Sequence, residues 1–227
     1  MEAVLNSGYR SVAEVNNAMI RVYNHMFLAV LTSGVVSYLV SSSPSLMAFL
    51  FGTWFKWVVI FAPLVAVFGV SIALNSNPPK GLAMALLHSF AALMGLSLST
   101  IFVVYTMGSI VNAFLGAAVL FGTMSLYGYF TKQSLDSWGK YLIVALIAIV
   151  IASIINIFIG STMLQTVISA VAIIVFLGLT AYDTQKIREM VSYNSTDAEE
   201  VSGALTLYLD FINLFISLLQ LFGGKKE

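Results

Sequence analysis

Polar positions along this chain come in short clusters, and the stretches between them are almost wholly apolar. SSSPS at 41–45, NSNPPKG at 75–81 and TKQSLDSWGK at 131–140 are breaks rich in turn formers. The apolar runs cover about 22–40, 54–74, 82–105, 110–129, 141–159, 163–182 and 205–222. Each approaches the ~20 residues that a helix needs to cross a bilayer core. All are too long for barrel strands, and lipid admits only helices or closed barrels. The pattern predicts an all-α integral membrane protein with seven transmembrane helices. Residues 1–21 read as a cytoplasmic N-terminal tail, with Leu5, Tyr9, Val12 and Met19 at helix-like spacing, and residues 223–227 as a short C-terminal tail. The longest polar stretch, 184–202, reads as a loop joining the last two spans.

Composition agrees with the pattern. The chain of 227 residues is 59% hydrophobic and 9% charged, with mean hydropathy +0.96. A soluble domain carries roughly a quarter of charged residues. The formal net charge is zero, so no nucleic-acid partner is expected. No cysteine is present, which excludes disulfides and cysteine-based metal sites. No cleavable signal peptide is expected, because the first residues are polar and mixed and the first apolar run lacks a small-residue cleavage site.

Lysine and arginine set the predicted orientation. With the N-terminus cytoplasmic, the inner segments hold Arg10, Arg21, Lys80, Lys132, Lys140, Lys186 and Arg188, and the outer ones Lys56, Lys225 and Lys226. The last two lysines would be cytoplasmic only if the last segment were re-entrant. Residues 205–222 span ~27 Å at 1.5 Å per residue, so a full span is preferred. Lys56, between Trp54 and Trp57, reads as a snorkelling anchor at the outer interface.

Two acids stand out. Asp210 lies inside the last apolar run, LTLYLDFINLFISLLQLF, and Asp183 at the inner end of the sixth, LGLTAYDTQKIR. A charge in a membrane segment is costly, and is usually paired, water-lined and functional. Both fall in the cytoplasmic half, so the expectation is that they face each other and form the working site. Asp183 alone could simply mark the interface, with Lys186 one turn on. His25 and His88 read as satisfied interior residues, and Asn112, Asn156 and Asn213 as pathway linings or interhelical hydrogen bonds.

AYDTQKI (181–187) and LYLDFINLFISLLQLFG (207–223) resemble the signature of the Bax inhibitor-1, or transmembrane Bax inhibitor motif, family. FAALMGLSLSTIFVVYT (90–106) and SLYGYFTKQSL (125–135) are similar to its bacterial members. The resemblance covers nearly the whole chain and is most specific in the last two helices. It implies six helices wrapped around a central C-terminal one, which would shield Asp210 from lipid. It also implies a pH-sensitive calcium leak, with Asp183 and Asp210 as proton sensor and gate. Bacterial relatives are linked to a membrane-bound AAA protease, and eukaryotic ones to control of cell death. Two departures are visible. Where some relatives place an arginine at the inner end of the second helix, this chain has Asn75-Ser76-Asn77, with Lys80 the nearest cation. After the fourth helix an acid is displaced to Asp136.

Two touching carboxylates cannot both ionise cheaply: at ~4 Å and an effective dielectric of ~20 they repel by about 4 kcal/mol. One shared proton is the expected state. Calcium takes 6–8 oxygen ligands and the pair supplies at most four, leaving carbonyls, Asn213, Tyr182, Thr180 or water to complete a weak, transient site. No tightly bound cofactor and no enzymatic activity are expected; calcium is cargo, and the partners are the bilayer, calcium ions and the membrane AAA protease. The expected location is the bacterial inner membrane. Tyr182, Asn213, Lys186 and Lys80 are supporting residues of the site. The alternatives are a non-conducting scaffold that binds membrane proteins, and an aspartyl intramembrane protease. Tyr182-Asp183 fits half of that protease signature, but Leu207-Tyr208-Leu209 before Asp210 does not supply the Gly-x-Gly half. A retinal protein lacks its lysine in the last helix.

Overall fold

The computed structural model describes residues 10–193 and 195–226. Leu5 and Tyr9 of the expected tail lie outside the described residues. Those described form α1 (Val12–Ser41), α2 (Pro44–Gly52), α3 (Lys56–Asn75), α4 (Lys80–Leu98), α5 (Ile101–Val104), α6 (Met107–Phe130), α7 (Asp136–Ile159), α8 (Thr162–Ser192) and α9 (Asp197–Phe222). Seven helical stretches are long and apolar enough to cross a membrane, with α4 and α5 counted together.

The helices outrun the apolar runs, and local chemistry explains where. α1 begins inside the stretch read as tail because Ser11 and Glu14 form a reciprocal capping box: the Ser11 amide donates to Glu14 Oε2 at 2.8 Å and the Glu14 amide to Ser11 Oγ at 3.3 Å. The expected long loop at 184–202 is a correction. α8 continues to Ser192 and α9 starts at Asp197, so only 193–196 connect them. Helix formers such as Gln185, Lys186, Arg188 and Glu189 carry α8 onward. A second capping box, Thr196 with Glu199, starts α9, and acidic residues in its first turn suit the positive helix end. α2, begun by Pro44 behind a Ser43 cap, is too short to span.

The chain divides into two compact units. The first holds residues up to 104, with 189–208 and Lys226. There α1 packs along α4, where Gly95 lies so close to Ser33 and Val36 that a Cβ would sit 2.7 Å from the Ser33 carbonyl oxygen. Tyr208 of α9 is fully buried, sharing a 2.6 Å hydrogen bond with Ser33 and an edge-on contact with Phe90. Val40, Leu50 and Val59 join α1, α2 and α3. Lys56 lies over the Trp57 ring at 5.4 Å.

The second unit holds 105–188 and 209–225. Phe114 and Phe121 of α6 meet Phe211 of α9 edge-on, at 5.3 and 5.7 Å between centroids. α8 is drawn against α6 at Gly128, where the Ala181 backbone leaves no room for a Cβ, and against α7 at Gly178, which faces Leu142. α7 ends on Gly160 in the left-handed region, φ 70°, the usual glycine helix stop.

α9 differs from the other spans. Within its most apolar window 61% of residues are buried, against at most 33% elsewhere, so a charge on α9 meets protein rather than lipid. It is unbroken over 26 residues, ~39 Å by the helical rise. The residues after it fold onto the α5–α6 junction, where Gly224 exchanges bonds with Thr106 and Ser109.

Candidate functional site

Asp183 and Asp210 both lie mid-helix, not at helix ends. Asp183 precedes the α8–α9 connector and Asp210 follows it by similar distances, so antiparallel pairing brings them level. Their carboxyl groups are hydrogen-bonded to each other. Such a bond needs a proton, because an ionised carboxylate only accepts. Asp210 is 4% exposed, and its Oδ2 is buried with no hydrogen-bond partner among the described residues. Asp183 is half-buried.

The surrounding side chains hold α8 in place. Thr184 shares a 3.0 Å bond with Ser125 of α6. Gln185 accepts the Leu135 amide at 2.8 Å and donates to the Gln133 carbonyl at 2.9 Å, tying α8 to the link before α7. Arg188 donates to the Tyr129 carbonyl and stacks on its ring. Asp183 is thus carried by a helix anchored on both sides.

The four supporting residues separate in space. Tyr182 lies against Gly139, whose Cβ, if present, would be 2.5 Å from the ring. The Asn213 amide donates to the Leu209 carbonyl of its own helix at 2.8 Å. Lys186 pairs with Asp136 at 2.5 Å, which gives the displaced acid a partner. Lys80 belongs to the first unit and pairs there with Asp197 at 3.1 Å. Thr180 donates to the Phe176 carbonyl. His88 bonds Thr32 at 2.9 Å, while the Nδ1 of His25 is buried with no partner among the described residues.

Two clusters escaped sequence reasoning. In the first unit Arg21 grips the buried Glu200, and Arg10 adds a contact at 3.6 Å and a 2.8 Å bond to Ser195. The only local hint is an acid one turn inside a capped helix start. In the second unit Asn156, Gln165, Ser169 and Gln220 are joined by side-chain hydrogen bonds. Among the described residues no three His, Cys, Asp or Glu side chains converge. Further ligands for a cation at the aspartate pair would therefore be neutral oxygens.

The family model described as "Inhibitor of apoptosis-promoting Bax1" matches residues 15–227. The chain belongs to the Bax inhibitor-1 family. It is 39% identical over 220 residues to the Inner membrane protein YbhL of Escherichia coli strain K12, covering 94% of each chain. It is 38% identical over 214 residues to an uncharacterized protein of Rickettsia prowazekii, covering 92% of this chain and 90% of that one. With an uncharacterized membrane protein of Streptococcus pyogenes serotype M1 it shares 44% over 165 residues, 70% of each chain. The family membership and the seven apolar helices together make this an integral membrane protein.

Proposed function

We propose that this Bax inhibitor-1 family protein is a pH-sensitive calcium leak channel, not an enzyme, in which Asp183 and Asp210 form the gate. The reading rests on the hydrogen bond between the two carboxyl groups, one of them inside the most buried helix. A shared proton holds α8 and α9 together at this level. Its loss leaves adjacent anions that repel by about 4 kcal/mol at ~4 Å and an effective dielectric of ~20, so the helices separate or admit a cation. The unpartnered Asp210 Oδ2 supplies an oxygen ready to accept one. Calcium takes 6–8 oxygens, and two aspartates offer no more than four, which suits passage over storage. The location proposed is the bacterial inner membrane, with the N-terminus cytoplasmic.

Calcium flux into liposomes, followed against pH for wild type, Asp183→Asn and Asp210→Asn, tests this. The wild type should conduct with a pH dependence that both variants lose. Flux indifferent to pH and to both substitutions sinks the channel. A protein that carries no flux but co-purifies with a membrane-bound AAA protease is a scaffold instead.

A further inference from the structure

The amide cluster of the second unit lies on the helix faces that carry the aspartates. On α9, Asp210, Asn213, Ser217 and Gln220 recur at intervals of three and four and so line one stripe. On α8, Gln165, Ser169, Thr180 and Asp183 fall within one narrow sector by the same periodicity. The α8–α9 seam is therefore polar at two levels: the carboxyl pair, and a group of amides and a hydroxyl ~15 Å further along α9.

The geometry of the second level is informative. Gln165 Nε2 donates to Gln220 Oε1 at 2.7 Å and to Ser169 Oγ at 3.3 Å. Ser169 Oγ itself donates to Gln220 Oε1 at 3.0 Å. Asn156, whose Oδ1 accepts the Ser161 amide, donates to Gln165 Oε1 at 3.1 Å. One amide nitrogen thus occupies a point within reach of two oxygens, where a small cation would be held. Rotating the Gln165 amide by half a turn removes the nitrogen and offers Oε1 as a third oxygen. Ser169 is 1% exposed and Asn156 6%, while Gln220 is exposed. The cluster is dry on one side and open on the other. Asn156 has a structural duty in closing the α7 turn, but that duty needs neither Gln165 nor Gln220.

We propose that Gln165, Ser169 and Gln220 form a second cation station on the α8–α9 seam, closed by the Gln165 amide and built from neutral oxygens that take a partly dehydrated hard cation. The proposal rests on the leak-channel reading and adds to it a selectivity site remote from the proton-sharing pair. Neutral carbonyl and hydroxyl dipoles suit this task because they replace hydration oxygens without holding the ion tightly. Ser217, whose hydroxyl donates to the Asn213 carbonyl, and Asn213 continue the polar stripe toward Asp210.

Flux through reconstituted Gln220→Leu and Gln220→Glu, each against calcium and sodium gradients, decides it. Gln220→Leu should lower cation flux about tenfold, the effect of one lost hydrogen-bond-strength contact to a charge, and leave the pH midpoint of the remaining flux unchanged. Gln220→Glu keeps size and polarity and should raise the calcium-to-sodium permeability ratio. If Gln220→Leu does not fold, Gln220→Glu carries the test alone. A wild type that conducts, with variants matching it in rate and selectivity, overturns the second station and leaves the aspartate gate standing. A wild type that conducts nothing overturns both.

Discussion

The guanidinium of Arg21 holds Glu200 through two hydrogen bonds, 2.7 and 2.6 Å, across 179 residues of sequence. Glu200 is 3% exposed, whereas the Arg21 side chain is 42% exposed, so the acid bears most of the desolvation. Removing its charge while keeping its shape should therefore be felt. Glu200→Gln is expected to destabilise the protein by about 1–3 kcal/mol, read as a lower melting temperature in detergent. Arg21→Lys keeps the charge but loses the planar fork and should fall between wild type and Glu200→Gln. Melting unchanged in both would remove this pair from the account of stability.

Two glycines of α6 should answer the same substitution with opposite sign. Gly128 abuts the Ala181 backbone, while nothing lies within 4 Å of a Cβ at Gly122. Gly128→Ala forces α6 and α8 apart and should cost about 1–3 kcal/mol, the usual range for overpacking. Gly122→Ala should be neutral or stabilise by about 0.5–1 kcal/mol, because alanine has less backbone freedom to lose in a helix. Melting curves of the two variants side by side make the comparison.

Asp183 and Asp210 share one hydrogen bond, so their substitutions should not add. Once either is asparagine no proton is shared between two carboxyls, and the second replacement has little left to remove. The double variant should match the singles in the pH dependence of calcium flux. The sign follows from charge: raising pH strips the shared proton, so wild-type flux should increase with pH. Additive losses would mean two independent carboxyls.

Orientation is open to direct labelling, because the chain has no cysteine to remove first. Ser134 lies in the link between α6 and α7, and Ser161 in the link between α7 and α8. With the N-terminus cytoplasmic, Ser161→Cys should react with a membrane-impermeant maleimide added outside intact cells. Ser134→Cys should react only after the membrane is opened. The reverse pattern would invert the topology derived from the lysines and arginines.

The number of crossing helices and the anomaly of Asp210 were legible in the chain because both are local. Hydrophobic length is a property of consecutive residues, and a carboxylate in an apolar run is visible without knowing its neighbours. The polar stretch after Asp183 misled for the same reason. Its charges exclude it from the bilayer core, yet its helix-forming residues and the Thr196 capping box keep it helical, so the connector shrinks to 193–196. Lys186 and Lys80 lie close in sequence to features of the expected site, but they pair with Asp136 and Asp197.

Sequence alone therefore determined the membrane class, the seven crossings and the two membrane carboxylates. Tertiary structure decided which groups meet: Asp183 with Asp210, Arg21 with Glu200, Gln165 with Gln220. The physical reason is that burial is set by composition along the chain, whereas pairing depends on helix register and close packing at residues such as Gly128. Those relations join positions tens of residues apart, and only the folded helices bring them to hydrogen-bond distance.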